Sequence, residues 1–201
     1  MKMQTHVDFR DKILKIIGAI AKVTAQFAEP GRAKDSAALA VELGRVRKWL
    51  KFLRVLRNIR NIPNSLTCEK IPINVRLESL ADLVQMLSED IHNLQKSGLW
   101  SGLLGLEKFP GLAEFEDQAW FAWAAIAAFN AAGELREALK TEDSERLTAA
   151  SLAFLKYSCE VGDSLIALSP SELKRERQFI IASAVLGSVS ALCSLHKFVR
   201  S

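Results

Sequence analysis

LAVELGRVRKWLKFLRVLRNIRNI, Leu39 to Ile62, decides how the chain is read. Between Arg45 and Arg60 it carries seven basic residues, Arg45, Arg47, Lys48, Lys51, Arg54, Arg57 and Arg60, and no acid follows before Glu69. On a helix, at about 100° per residue, Val46, Trp49, Leu50, Leu53 and Leu56 fall within an arc of about 120°, with Arg47, Lys48, Lys51 and Arg54 opposite. A basic amphipathic helix of this kind suits the interface of an anionic membrane: its apolar side chains reach the acyl boundary while Lys and Arg meet lipid phosphates. Surface helices of soluble bundles mix charge signs for i,i+4 pairing, and from Arg45 onward this one offers no acid. Arg57 and Arg60 intrude on the apolar side, where a headgroup layer lets them snorkel and a dry core would not. Two rivals fit the same periodicity: a core-facing helix with a solvated basic back, and an arginine-rich nucleic-acid helix.

The 201 residues are enough for one domain with a sizeable core. We divide them into an amphipathic, membrane-interacting region, 1–111, and a membrane-associated region, 112–201, that ends in a hydrophobic helix. The chain is 49% hydrophobic and 25% charged with mean hydropathy +0.10, apolar for a soluble helical protein but too charged for a polytopic bundle. The net charge is only +4, so the basic character is concentrated in one helix, which argues against nucleic acid as a partner. Cys68, Cys159 and Cys193 are odd in number and in no metal spacing, and read as reduced intracellular thiols, two of them packed. The first residues, MKMQTHVDFRDK, lack the apolar core of a secretory signal.

Periodicity predicts an all-α chain of about six helices; no run shows the alternation of an exposed strand. Phe9, Ile13, Ile16, Ile20, Val23 and Phe27 form a stripe on a first helix that Pro30 and Gly31 end; Asp35 or Ser36 caps the basic helix. A third helix runs from about Asn74 to Ser97 with Leu77, Leu80, Leu83, Val84, Leu87, Ile91 and Leu94 on one side. The glycine-rich apolar stretch after it is a loop or an interfacial hairpin anchored by Trp100. Gln118 to Gly133 lacks charge and holds Trp120 and Trp123, a core helix or partial span. A fifth helix ends near Leu168, and Ser169 to Glu172 reads as a capping box that opens the last one.

The uncharged run Gln178 to His196 is the best transmembrane candidate, with basic flanks at Lys174 to Arg177 and at Lys197 and Arg200. Ser183, Gly187 and Ala191 repeat every fourth residue, a small-residue face suited to self-association in lipid. Chemistry for an enzyme is missing from the sequence. It has no G-x-G-x-x-G, G-x-x-x-x-G-K-[ST], G-x-S-x-G or HExxH, hence no cofactor or catalytic motif. Glu89-x-x-His92 stands without the second copy a di-iron bundle needs, so His92 reads as a surface histidine.

Taken in order, the elements resemble the peroxin-11 family of membrane proteins that proliferate and divide peroxisomes. Arg10-Asp11-Lys12-Ile13-Leu14-Lys15 is similar to that family's opening motif, Arg47-Lys48-x-x-Lys51-x-x-Arg54 to its amphipathic segment, and Leu87 to Ile91 through Lys96 to Leu99 to its aspartate-led helix with a Gly-Leu turn. Ile16, Ile17 and Gly18 replace the Gln and Tyr frequent there, which suggests a divergent member, of the glycosomal branch. The resemblance implies a peroxisomal or glycosomal membrane protein, homo-oligomeric, that binds an anionic phospholipid membrane, works with fission machinery and curves the membrane with its basic helix. In that reading Trp49, Leu50, Leu53 and Leu56 wedge into one leaflet while Arg47, Lys48, Lys51 and Arg54 bind phosphates. The alternatives are a pore for small metabolites, for which Gln118, Asn130 and Ser190 are sparse lining, and a soluble helical adaptor.

Overall fold

The structure, a computed structural model, describes residues 2–51, 71–97, 102, 107 and 109–200; of 2–7, 51 and 197–200 it describes the helical backbone only. The elements are α1 (Lys2–Phe27), α2 (Pro30–Lys51), α3 (Ile73–Lys96), α4 (Leu112–Ala138), α5 (Ser144–Leu168), a single turn α6 (Ser171–Lys174) and α7 (Arg177–Arg200). The chain is all-α, with no strand among the described residues.

Local chemistry explains where the helices begin. Pro30 opens α2, ahead of Asp35 and Ser36, because its fixed φ and missing N–H suit a first helical position. Gly111, at φ 75°, is the residue that can adopt a left-handed turn there, and it lets α4 start at Leu112, well before the uncharged run. Asp143 caps α5, its Oδ1 accepting the N–H groups of Glu145 and Arg146 at 3.0 Å each. The Ser169–Glu172 signal nucleates only α6; the chain then restarts as α7 at Arg177.

The helices pack as a continuous series, α2 on α1, α1 on α7, α7 on α5, α5 on α4 and α4 on α3. Segments from 1–111 and 112–201 therefore interleave. Side-chain partners fix the directions. Glu160 meets Ser190 and Asp163 meets Ser183, so α5 and α7 run antiparallel. Asn74 meets Asn130 and His92 meets Glu116, so α3 and α4 do the same.

The interior of this bundle is unusual in its composition. Among the described residues, every buried apolar side chain is an alanine, a cysteine or Met86, and no Leu, Ile, Val, Phe or Trp is buried. On α4 the alanines 119, 124, 127, 131 and 138 form the buried stripe, which lets α3 and α5 approach closely. Asp11, Ser88, Asp90, His92, Glu160, Asp163, Ser164, Ser190 and Ser194 are buried alongside them.

The small-residue face of α7 also lies inside the chain. Ser183 Oγ donates to Asp163 Oδ1 at 2.6 Å, a Cβ on Gly187 would stand 3.0 Å from Lys15 Cε, and Ala191 is fully buried. The stripe expected to join two copies is thus occupied by α1 and α5, because two carboxylates and a lysine on those helices need its hydroxyls and its open space.

Candidate membrane-interacting site

Where the interior is small and polar, the exterior is large and apolar. Phe9, Ile17, Ile20 and Phe27 on α1, Leu77, Leu80, Val84 and Leu87 on α3, and Val185 and Leu192 on α7 are all exposed. Phe129 is 75% exposed in the middle of α4. Of the α3 stripe seen in the sequence, Leu77, Leu80, Val84 and Leu87 therefore face outward, while Leu83, Ile91 and Leu94 are half-buried. In water each such side chain, roughly half exposed, forgoes about 1 kcal/mol of burial. Many large apolar side chains outside an interior of small and polar ones suit a surface that meets something other than water.

α7 supplies a spanning candidate. Arg177–His196, 20 residues, is the one described helix long and apolar enough to cross a membrane, and 33% of its most apolar window is buried within the chain. At 1.5 Å per residue it extends about 30 Å, the thickness of a hydrocarbon core. The Arg177 guanidinium stacks 3.9 Å over the Phe27 ring, joining its start to the end of α1.

The basic helix keeps its apolar Val46 and Trp49 on the outside, the facing that a membrane wedge requires, but Arg47, expected at lipid phosphates, does not share it. Val46 and Trp49 point outward, 48% and 55% exposed, with Arg45 beside them bonded to Glu42 at 2.6 Å. Arg47 turns inward, its Nε donating to Asp11 Oδ1 at 3.0 Å. Asp11 is buried, and a buried carboxylate without a cation is costly, so Arg47 is committed to the interior rather than to lipid phosphate. Lys48 and Leu50 are half-buried. The side chain of Lys51, and Leu53, Arg54 and Leu56 altogether, lie outside the described residues, as do Cys68 and Trp100.

Between the helices lies a cavity of about 950 Å³, to which α1, α2, α3, α4, α5, α6 and α7 all contribute lining residues. At its α1–α5–α7 side, Lys15 Nζ bonds Glu160 Oε1 at 3.2 Å, and Ser190 Oγ donates to the same carboxylate oxygen. At the α3–α4 side, His92 Nδ1 lies against Glu116 Oε2, and Asn130 Nδ2 donates to Glu78 Oε2 at 2.6 Å. His92 is thereby buried, where a surface histidine was expected, because the helix-pairing face of α3 is the polar one. Near this end the Lys96 ammonium is pushed below its ordinary range by burial and by Lys48, and the Asp117 carboxyl is pushed up by burial despite Lys174 at 3.8 Å.

Sequence reading passed over this polar interior, although signals existed. Glu160 and Asp163, the two charges that follow Lys156 in α5, sit three residues apart, the spacing that puts both on one face. Asp11 stands between Arg10 and Lys12 in a helix whose other face is hydrophobic. Cys159 and Cys193 are both buried thiols. No three or more His, Cys, Asp or Glu side chains among the described residues are grouped to hold a metal ion. No family model, no curated protein and no solved structure matches the chain.

Proposed function

We propose that this chain is an embedded membrane protein that curves and elongates the peroxisomal or glycosomal membrane before fission. The observation that supports the reading is the inverted bundle: large apolar side chains outside, alanine, serine and paired charges inside. Lipid solvates such an exterior, and close packing of small residues with interhelical hydrogen bonds then holds the helices together. The organelle comes from the resemblance of the opening Arg10–Lys15 segment and the basic helix to the peroxin-11 family.

The mechanism is a wedge. Trp49 and Val46 displace lipid at the interface, Arg45 meets the headgroups, and α7 holds the chain in the bilayer. Unequal leaflet area favours curvature. Self-association uses outward residues of α7 such as Val185 and Leu192, since Ser183, Gly187 and Ala191 are engaged within the chain. The test is reconstitution of the full chain into anionic vesicles: tubules are expected by electron microscopy, with the protein in the carbonate-washed pellet. Release into the carbonate supernatant sinks the membrane reading, and smooth round vesicles sink the remodelling one.

One observation favours a second reading, passage of small metabolites: the cavity is lined by charged groups of α1, α3 and α5, a richer lining than Gln118, Asn130 and Ser190. Planar bilayers containing the chain would then show solute-dependent conductance, and silent bilayers remove this reading.

A further inference from the structure

Two nucleophilic side chains of the interior take no part in the wedge or in the charge pairs. Cys159 on α5 and Cys193 on α7 are free thiols, and both are buried. The helices that carry them meet in one antiparallel register, fixed where Asp163 meets Ser183, Gly162 faces Leu186 and Glu160 meets Ser190. In that register Cys159, one residue before Glu160, comes against the turn of α7 that runs from Ser190 to Cys193. Each cysteine is only 7% exposed, and the two sulfurs are near enough to interact electrostatically.

The backbones can approach closely here because the residues between them are small. A Cβ on Gly162 would stand 3.0 Å from Leu186 Cδ1, and Ser190, Ala191 and Ser194, around Cys193, are all buried. A disulfide needs Cα atoms roughly 4.4–6.8 Å apart, a separation that helices meeting through glycine and serine can reach and helices meeting through leucines seldom do. The surroundings of the two sulfurs differ. The Lys156 ammonium interacts with Cys193, whereas Cys159 has the carboxylates of Glu160 and Asp163 nearby as well as Lys15. Thiolate is the reacting form and a cation supports it, so Cys193 is placed to react first. Burial selects the oxidant: a bulky disulfide cannot enter this interface, but hydrogen peroxide, hardly larger than water, can. Cys193 also stands one turn from Lys197, at the basic end of α7.

We propose that Cys159 and Cys193 form a reversible intrachain disulfide when the chain meets a peroxide. The Cys193 thiolate attacks one peroxide oxygen; the O–O bond breaks, the departing hydroxide takes up the proton that Cys193 released, and Cys193 is left as a sulfenic acid. The Cys159 sulfur then attacks the sulfenic sulfur; the S–S bond forms, the S–O bond breaks, and hydroxide leaves with the Cys159 proton as a second water. Together the two thiols lose two electrons and two protons, and one peroxide becomes two waters. The bridge fixes α5 to α7. This goes beyond membrane remodelling and does not require it.

The full chain carrying Cys68→Ser, in phosphatidylglycerol nanodiscs, is treated with hydrogen peroxide. It is then unfolded in dodecyl sulfate with N-ethylmaleimide, so that every remaining thiol is counted, and weighed intact. The product should lack maleimide, be lighter than the reduced chain by two hydrogens, and exceed sulfinic and sulfonic forms by at least about tenfold. Proteolysis should yield one pair of peptides joined through Cys159 and Cys193 and parted by dithiothreitol. In Cys159→Ser the sulfenic acid on Cys193 has no partner and should be captured by dimedone. The bridged chain should unfold at a higher temperature than the reduced one, a shift that dithiothreitol reverses. Two maleimide adducts after peroxide, sulfinic acids in place of the bridge, a bridge only between two chains, or a thermal midpoint that is not raised overturns the proposal. Vesicle tubulation enters none of these readouts, so the membrane reading and this one fail on separate assays.

Discussion

Replacing Val46 and Trp49 by glutamate puts the wedge under direct test. A tryptophan offers up to about 250 Å² to a partner, and Trp49 leaves 55% of its surface outside the bundle. At roughly 25 cal/mol per Å² its transfer to the acyl boundary is worth about 3 kcal/mol. Val46, 48% exposed, adds about 1 kcal/mol. Together they favour insertion of this end of α2 by about three orders of magnitude, before the cost of a carboxylate near lipid phosphate is counted. Neither side chain is buried, so the bundle should keep its helicity, and α7 should keep the variant in the membrane fraction. The assay is tubulation of anionic vesicles by the full chain at matched protein-to-lipid ratio. A second readout keeps Trp49 as sole tryptophan in a Trp100→Phe, Trp120→Phe, Trp123→Phe background and follows quenching by brominated lipid. Strong quenching with tubules lost in the glutamate variant is the expected result. Undiminished tubulation by the double variant, or a Trp49 quenched by acrylamide and not by lipid, refutes the reasoning.

Other perturbations address the interior. Asp11→Ala leaves the Arg47 guanidinium without its buried carboxylate and should cost about 3–5 kcal/mol, lowering the thermal midpoint in detergent; Arg47→Leu added to it should recover most of the loss. Gly187→Leu drives a side chain into Lys15 and should separate α1 from α7 at a cost of about 1–3 kcal/mol, read as faster proteolysis of α1. Burial holds the Asp117 carboxyl above its ordinary range, so the folded state binds this proton more tightly than the unfolded chain does. Its contribution is fully present below the unfolded pKa and is lost as pH rises through the raised folded value. Asp117→Asn should therefore flatten the fall of the thermal midpoint over that window, and an unchanged profile would remove Asp117 from the titration.

Much of the architecture was legible. The all-helical class, the end of α1 before Pro30 and the long C-terminal apolar helix follow from periodicity and from proline and glycine placement. Facing was not legible. The spacing of its leucines shows that α3 has an apolar and a polar side, but not which of them meets the neighbouring helices. For Leu77, Leu80, Val84 and Leu87 the answer was the outside, and on α2 Trp49 faces outward as a wedge requires while Arg47, expected at phosphates, turns inward. The decisive quantity is pairing between distant residues, Asp11 with Arg47 and Lys15 with Glu160, and no local window of sequence holds both members. The stripe of Ser183, Gly187 and Ala191 shows the same limit: close approach was legible, but the partner could equally have been another chain.

These pairings bear on why, among the described helices, α7 alone is apolar enough by composition to count as a span. Its central residues, Ser183 to Ser190, are the ones that touch Asp163, Lys15 and Glu160. If α7 crosses a bilayer, those contacts lie near mid-depth, where an isolated ionised side chain costs several kcal/mol. The lysine and the carboxylates are tolerable there only while α1, α5 and α7 stay together, with Lys15 bonded to Glu160 and each carboxylate bonded to a serine. The membrane-crossing unit is then the three-helix set and not α7 by itself. The charges that lower the hydropathy of α1 and α5 are hidden against α7, while Ile17, Ile20, Leu155 and Leu165 cover the outside. Hydropathy averaged along the chain mixes both faces and so passes over α1 and α5. The same arrangement makes insertion cooperative: α7 alone would enter lipid readily, whereas α1 and α5 should do so only after their charges have been paired.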